Sequence, residues 1–197
     1  MNQEQVLEQC RKSGAMLEGH FRLSSGRHSD RYFQCALLLS DPLRAEGLAR
    51  AVALLVDVSV DVVVGPALGA VVWAHEVARA VGVRALFTER VDGQMALRRG
   101  FALEPGARVL VAEDVLTTGG SAREVIELVR REGAEPVGVA AIINRSNQAN
   151  PFADLDLPLS VLAEVGVQSW EAEACPLCAS NEAGPAIKPG SRPVGAR

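Results

Sequence analysis

Long apolar runs, paired cysteines and signal-like segments are all missing from this 197-residue chain. No apolar run reaches the roughly 18 residues that a membrane-spanning helix needs. Residues 1–14 lack the basic-then-apolar order of a signal peptide. Cys10 and Cys35 are isolated, and Cys175 and Cys178 form a single CxxC, which is not the pattern of a secreted disulfide framework. We therefore expect a cytoplasmic protein with no membrane partner.

Lysine is also scarce, and the charge balance excludes a broad nucleic-acid-binding surface. The net charge is −4, and the only lysines among the 20 basic residues are Lys12 and Lys188. The composition, 48% hydrophobic and 22% charged, is that of a globular protein and not of a disordered one. The length allows one domain with a sizeable core. Any anion site in this chain must therefore rely mainly on arginine and on backbone N–H groups.

Apolar runs alternate with helical patterns along most of the chain. Helices are predicted at 3–17, 42–57, 67–82 and 121–132, and strands at 60–65, 83–89, 107–114, 136–145 and 159–165. Asp41 is the expected N-cap of the second helix, with Pro42 at its first position. A short hairpin is possible between the second and third strands. This alternation predicts an α/β fold with a central, mostly parallel sheet and helices on both faces.

The segment "RVLVAEDVLTTGGSA" (108–122) begins as a strand and ends as a helix. Glu113 and Asp114 lie at the carboxyl end of the strand, where open parallel sheets bind ligands. Residues 117–121 lead into the helix, whose N-terminus favours a phosphate. With no lysine and no GxGxxG, this is neither a Walker A loop nor a dinucleotide turn. The acids would therefore serve sugar hydroxyls, or lie near a magnesium ion chelated by the ligand, which indicates a ribose 5-phosphate.

This segment closely resembles the phosphoribosyl-pyrophosphate (PRPP) signature of the type I phosphoribosyltransferase family. The alternative interpretation is a capped strand followed by an ordinary N-cap turn. The resemblance implies that PRPP is bound by a continuous run of residues: Glu113, Asp114, Val115, Leu116, Thr117, Thr118, Gly119, Gly120 and Ser121.

A second segment, "GHFRLSSGRHSDRYFQ" (19–34), resembles the substrate segment of orotate phosphoribosyltransferases. Orotate is a planar anion, and an arginine can bind its carboxylate bidentately. In the family this arginine follows a core strand, and here that position is Arg145. The resemblance implies an orotate site formed by Thr117, Arg145, Ser25, Gly26, Arg27, Tyr32 and Phe33.

A third segment, "VVGPALGA" (63–70), resembles the family's pyrophosphate loop and implies contacts from Ala67, Leu68 and Gly69. The family's mobile catalytic loop often carries lysines, but the corresponding residues 88–100 contain none. Arg90, Arg98 and Arg99 are the candidate replacements there. Arginine supplies the charge without the point geometry of lysine.

Together these resemblances, over about residues 19–145, imply an enzyme that transfers a pentosyl group. It would move the 5-phosphoribosyl group from PRPP to orotate, giving orotidine 5′-monophosphate and pyrophosphate for pyrimidine biosynthesis. Glu113, Asp114 and Arg90 would be catalytic. Mg²⁺ would be held mainly through PRPP, without dedicated protein ligands. A homodimer is implied, with the loop 88–100 crossing to the neighbouring subunit.

The same resemblance implies a single phosphoribosyltransferase domain over residues 1–170. It comprises a small N-terminal hood segment (1–41), which carries substrate contacts, and an α/β core (42–170). Residues 171–197 are rich in proline, glycine and alanine, so we expect a loosely ordered tail.

Three alternatives stay open. A PRPP-sensing regulator of the same fold would also keep the PRPP signature. A purine-type phosphoribosyltransferase would leave Arg145 and the "SGR" residues unexplained. Cys175 and Cys178 could supply half of a zinc site, but no second CxxC or HxxxH accompanies them, so a tail turn with two thiols is the preferred interpretation.

Overall fold

The computed structural model describes residues 1–23, 26–166, 168–180 and 184–188. Its main sheet has six strands in the order β5-β4-β3-β6-β7-β8, all parallel except the edge strand β5. The strands are β3 (Val62–Pro66), β4 (Arg84–Val91), β5 (Gln94–Leu97), β6 (Arg108–Leu116), β7 (Glu135–Asn144) and β8 (Leu159–Glu164). The predicted α/β fold class is therefore confirmed, and the possible hairpin is the β4–β5 pair.

Helices cover both faces of this sheet. Helices α3 (Pro42–Ala53) and α4 (Gly69–Val81) pack on one face, and α5 (Gly120–Arg131) packs on the other. Strand β6 sends Leu110 into the first core and Val111 into the second. Because alternate side chains are buried on opposite faces, a central parallel strand is apolar almost throughout, as the sequence predicted.

Local signals set the helix ends. Asp41 accepts hydrogen bonds from the backbone N–H groups of Leu43 and Arg44, at 3.1 and 3.3 Å, so it is the predicted N-cap of α3. The helix predicted over 3–17 is wrong beyond Lys12, because Gly14 has a left-handed backbone (φ 69°) and the chain then enters a strand. The helix predicted over 42–57 likewise ends at Ala53.

The N-terminal segment forms a second, smaller sheet. Helix α1 (Gln3–Lys12) is followed by β1 (Met16–Arg22), β2 (His28–Phe33) and the short helix α2 (Cys35–Leu39). Strand β2 pairs with β1 on one side and with β9 (Ser169–Trp170) on the other, both antiparallel. We call β1, β2 and β9 the hood sheet. Residues distant in sequence therefore complete the segment that the sequence analysis assigned to 1–41.

The described part of the tail contacts this hood sheet. It contains α6 (Pro176–Ser180) and a parallel bridge between Ile187 and Phe21. The N–H of Arg22 donates to the Ile187 carbonyl at 2.8 Å, and the N–H of Ile187 donates to the His20 carbonyl at 2.9 Å. The loosely ordered tail that we expected over 171–197 stays a prediction, and residues 181–183 and 189–197 of it lie outside the described residues. Among the described residues, no helix combines the length and the apolarity needed to cross a bilayer.

Candidate active site

Two adjacent carboxyl groups lie at the carboxyl end of the central strand β6. Glu113 is only 9% exposed, and Asp114 lies beside it, half-buried. Burial, together with the neighbouring Asp114 carboxylate, raises the pKa of Glu113 to about 9. Burial also raises the pKa of Asp114. Two acids that are costly to ionise when unliganded would be stabilised by a ligand that donates hydrogen bonds or brings positive charge.

Asp114 lies against the loop that follows the neighbouring strand β3. A methyl group added at Gly69 would come 2.9 Å from Asp114 Oδ2, so glycine is required for this approach. The loop begins with Ala67, whose N–H donates to the Thr88 carbonyl at 2.8 Å, and the Ala67–Leu68 peptide bond is cis. The predicted pyrophosphate loop and the acidic pair are therefore in direct contact.

The residues after the acidic pair form an open turn at the N-terminus of α5. Gly119 is the N-cap, with φ 78°, and no side chain caps the helix. The hydroxyl of Thr118 accepts a hydrogen bond from the Gly120 N–H at 3.3 Å. The remaining N–H groups of the first turn have no intrahelical acceptor, as at every helix start. This end of α5 can therefore bind an anion with backbone donors and the helix dipole.

Arg145 lies next to this turn. Its backbone N–H donates to the Leu116 carbonyl at 2.8 Å, which places Arg145 and Thr117 at adjacent strand ends. The side chain of Asn144 braces the loop by accepting from the Ser146 N–H at 3.0 Å and donating to the Gln148 carbonyl at 2.8 Å.

The guanidinium of Arg145 faces the hood sheet. The residue is 8% exposed, and burial lowers its pKa, while Asp30 and Tyr32 of β2 oppose this effect electrostatically. Within the described ranges, its guanidinium donates no hydrogen bond to the protein. A largely buried arginine that forms no side-chain hydrogen bond within the described ranges has the properties of a carboxylate-binding group.

The hood residues predicted to contact orotate differ in their burial and in their contacts within the protein. Arg27 donates from Nε to Ser169 Oγ at 3.1 Å and from Nη2 to the Ser169 carbonyl at 2.6 Å, and it also pairs with Glu171. Phe33 is buried in the core, whereas Tyr32 is half-buried, with its ring centroid 5.9 Å from that of Phe21. Thus Arg27 and Phe33 already have protein partners, whereas Tyr32 interacts electrostatically with Arg145.

Two further residues, Ser25 and Gly26, were predicted to contact orotate. Gly26 is exposed, with φ 87°, and Ser25 lies outside the described residues.

The three arginines of the β4–β5 region differ in their partners. Arg90 pairs with Glu124 of α5 at 2.7 Å and donates to the Gly93 carbonyl at 2.8 Å. Arg99 pairs with Glu89 at 2.9 Å, whereas Arg98 is exposed and has no ion-pair partner in the described part of the chain. The structure brings Arg90 to helix α5, but it does not bring Arg98 and Arg99 into contact with the acidic pair.

The chain is similar to known proteins in sequence and in fold. Residues 38–177 match the phosphoribosyl transferase domain family. The orotate phosphoribosyltransferase of Heliobacterium modesticaldum is 52% identical over 195 residues, covering 98% of this chain and 100% of the relative. The chain belongs to the orotate phosphoribosyltransferase family.

Further members of the family agree in sequence and in fold. The enzyme named orotate phosphoribosyltransferase in Pelotomaculum thermopropionicum is 50% identical over 98% of this chain and 100% of its own length. The crystal structure of orotate phosphoribosyltransferase from Aeropyrum pernix superposes with a TM-score of 0.66 at 27% identity, covering 81% of this chain and 93% of that chain. The resemblance drawn from the sequence motifs is therefore confirmed.

Sequence reasoning missed two histidines. His20 and His28 face each other across the hood hairpin, and the thiols of Cys175 and Cys178 lie against them. The sequence analysis interpreted Cys175 and Cys178 as a tail turn with two thiols, and it did not connect these thiols with the two histidines. The available signal was weak: two histidines eight residues apart, in segments that antiparallel pairing can bring together.

Proposed function

We propose that this chain transfers the 5-phosphoribosyl group from PRPP to orotate, producing orotidine 5′-monophosphate and pyrophosphate for pyrimidine nucleotide synthesis. The observation that carries the proposal is the convergence of three strand ends. The acidic pair lies at the end of β6 and the turn at 117–121 follows it, the small-residue loop follows β3, and Arg145 follows β7. Relatives of about half identical sequence, matched over their full length, bear the name of this activity.

We assign the ribose of PRPP to Glu113 and Asp114. As the bond between C1 of the ribose and the pyrophosphate oxygen breaks, its electron pair leaves with pyrophosphate and positive charge builds on the sugar. N1 of orotate then forms the new bond to C1. Ionised carboxylates beside the ribose accept hydrogen bonds from its hydroxyls and stabilise this charge. The protein forms no covalent intermediate in this scheme, so its contribution is positioning and electrostatics.

We assign the 5′-phosphate to residues 117–121. The N–H groups at the start of α5, the hydroxyls of Thr117, Thr118 and Ser121, and the helix dipole would all favour the phosphate dianion. Glycine at 119 keeps the turn in its left-handed conformation, and a Cβ there would come 3.2 Å from the ring of Phe152.

We assign the carboxylate of orotate to Arg145. Its buried guanidinium would gain a bidentate, charge-assisted pair, which is stronger than a neutral hydrogen bond. Thr117, on the adjacent strand end, would contact both orotate and the phosphoribosyl group. Tyr32 would provide an apolar surface for the ring, while Gly26 and Ser25 would contribute from the hood turn. For Arg27 we favour an indirect role, since its donors bind Ser169 and Glu171.

We assign the pyrophosphate to the loop at Ala67–Gly69 and to arginines of the region 88–100. Arg98 has no ion-pair partner within the described ranges, so it is the arginine most available for this task. Arg90 and Arg99 would have to exchange Glu124 and Glu89 for the leaving group. Because Arg98 and Arg99 do not contact the acidic pair in one chain, a homodimer in which this region reaches the neighbouring site is part of the proposal.

Mg²⁺ fits this site as a partner of PRPP. The two carboxylates at the end of β6 are hard oxygen donors of the kind that magnesium prefers. The predicted pyrophosphate loop and residues 88–100 contain no lysine, so the negative charge of pyrophosphate needs a further cation. When bound, the ion would neutralise the leaving group.

A cytoplasmic location of the protein also stays a prediction.

The decisive test follows the loss of orotate absorbance with PRPP and magnesium. Turnover is expected with orotate and not with adenine or hypoxanthine. If PRPP binds but orotate is not consumed, the PRPP-sensing regulator becomes the better reading. Turnover of a purine base alone would instead favour the purine-type enzyme.

A further inference from the structure

Four potential metal ligands from distant parts of the chain meet between the hood sheet and the tail. His20 lies on β1, His28 begins β2, and Cys175 and Cys178 come from the start of α6. One ligand atom from each residue lies within 4.8 Å of all the others. His20, His28 and Cys175 are 4%, 8% and 2% exposed, and Cys178 is at the surface. Among the described residues, none of the four forms a hydrogen bond with Glu113, Asp114, Thr117 or Arg145.

The separations between these atoms match a tetrahedral zinc site. With Zn–N near ~2.0 Å and Zn–S near ~2.3 Å, tetrahedral geometry puts a nitrogen and a sulfur ligand about 3.5 Å apart. His20 Nε2 lies 3.5 Å from Cys175 Sγ and 3.6 Å from Cys178 Sγ. His28 Nδ1 lies 3.3 Å from Cys178 Sγ. The two histidine nitrogens are 2.9 Å apart, a few tenths of an ångström closer than around a bound ion.

A second group of contacts orients the first histidine. His20 Nδ1 donates to the Gly184 carbonyl at 2.8 Å, so its proton is held on Nδ1 and the lone pair of Nε2 points toward the thiols. Histidines that bind zinc are commonly fixed in this way, by a hydrogen bond from the other ring nitrogen. The carbonyl of His20 also accepts from the Ile187 N–H at 2.9 Å. The tail therefore both supplies two ligands and orients a third.

We propose that His20 Nε2, His28 Nδ1 and the thiolates of Cys175 and Cys178 bind one zinc ion in a closed structural site. Two sulfur and two nitrogen ligands select zinc over magnesium or calcium. Four protein ligands leave no open position for a substrate, so the ion has no direct part in the transfer reaction. The two cysteines lose their protons when the ion binds.

The zinc site fastens the tail to the hood sheet. Its ligand His28 directly follows Arg27, which holds Ser169 and Glu171, and β2 pairs with β9 at Ser169 and Trp170. The same sheet presents Tyr32 toward Arg145. Strand β9 has only two residues, and a metal crosslink between segments about 150 residues apart would stabilise the hood sheet. Loss of the ion should therefore loosen the hood first.

The test measures metal in protein purified without chelators and under reducing conditions. We expect one zinc per chain by plasma mass spectrometry, released when a mercurial titrates the thiols. The variants Cys175→Ser and Cys178→Ser should lose this zinc, and removing it with a strong chelator should lower the Tm of the wild type. The matched controls Cys10→Ala and His75→Gln, which alter residues outside the cluster, should retain it.

Cobalt substitution keeps the test independent of how well the variants fold. Wild-type protein loaded with Co²⁺ should show the intense ligand-field and thiolate charge-transfer bands of a tetrahedral site. Wild-type protein that holds no zinc as purified, and gives no such bands after reduction and loading, would overturn the proposal. So would a disulfide between Cys175 and Cys178 that persists in reduced, zinc-supplied protein, or zinc retained by both serine variants.

Discussion

The carboxylate of Asp114 packs directly against the backbone of Gly69, so that a single methyl group at residue 69 would lie 2.9 Å from Oδ2 and 3.3 Å from Cγ. This contact joins the end of β6 to the start of α4. Because of this contact, the loop assigned to pyrophosphate and the acid assigned to ribose lie side by side. One ligand that carries both a ribose and a pyrophosphate can therefore bind to both of them.

Gly69→Ala should lower kcat/KM roughly tenfold or more, because the methyl group displaces the Asp114 carboxylate, and small misplacements of catalytic groups are costly. Steady-state kinetics with varied PRPP checks this. Gly47→Ala is the matched control. Its Cβ would meet only Met1 Cε at 3.9 Å, and replacing glycine inside a helix stabilises by about 0.5–1 kcal/mol. Equal kinetics for the two variants would refute the importance of the contact.

Asp114→Asn keeps the shape of the side chain and removes its charge, so it should reduce kcat by roughly 100-fold, as the loss of a preorganised electrostatic group does. Glu113→Gln should act in the same direction. PRPP binding, measured by calorimetry, should persist in weaker form through the phosphate turn. Unchanged kcat in both variants would exclude the carboxylates from transition-state stabilisation.

Stability should fall with rising pH because of Glu113. Its pKa is raised from 4.5 to about 9 in the folded protein, mainly by burial. A raised pKa means that the folded state binds the proton more tightly, so this contribution is complete below about pH 4.5 and is lost as pH rises through 9. Urea unfolding at pH 6 and pH 9 should show the wild type losing more stability than Glu113→Gln. Parallel losses in both proteins would contradict the assignment.

Binding of PRPP should release protons between pH 7 and 8. The ribose hydroxyls donate to the ionised carboxylates and so lower the raised pKa values of the acidic pair. Calorimetry in two buffers of different ionisation enthalpy measures the number released. Glu113→Gln should release fewer protons. Proton uptake by the wild type would argue that the acids stay neutral in the complex.

Arg145→Ala should raise the KM for orotate by roughly 10–100-fold, the equivalent of about 1.5–3 kcal/mol for a hydrogen bond to a charged group. PRPP binding should change little, because the phosphate turn is intact. The matched control is Arg84→Ala, at the opposite end of the sheet on the first residue of β4. An unchanged orotate KM would show that Arg145 does not bind the orotate carboxylate, and the hood arginine Arg27 would be the next candidate.

Arg98→Ala should reduce turnover while leaving the Tm nearly unchanged, since its side chain is exposed and forms no ion pair within the described ranges. Arg99→Ala tests the second candidate, because it also breaks the exposed pair with Glu89, and exposed pairs contribute little to stability. Arg50→Ala, which breaks the exposed pair with Glu46 on α3, is the control. If Arg98 acts in the neighbouring subunit, mixing Arg98→Ala with Asp114→Asn protein should restore part of the activity.

Much of the fold and part of the site could be read from the sequence, because both depend on local patterns. A run of apolar residues buried on both faces is recognisable as a central parallel strand, and Asp41 before Pro42 is recognisable as a helix start. The turn at 117–121 depends on the glycines and hydroxyls of one short segment. These features need only the neighbouring residues, so the sequence by itself determined them.

Only the tertiary structure decided which distant residues meet. Ser169 pairs with Arg27, Asp114 packs on Gly69, and the thiols of Cys175 and Cys178 reach His20 and His28. Such contacts depend on how the strands pair and on where the tail packs, and the periodicity and spacing of residues in the sequence do not predict them. For this reason the sequence indicated only a tail turn with two thiols, whereas the fold brings two histidines against them.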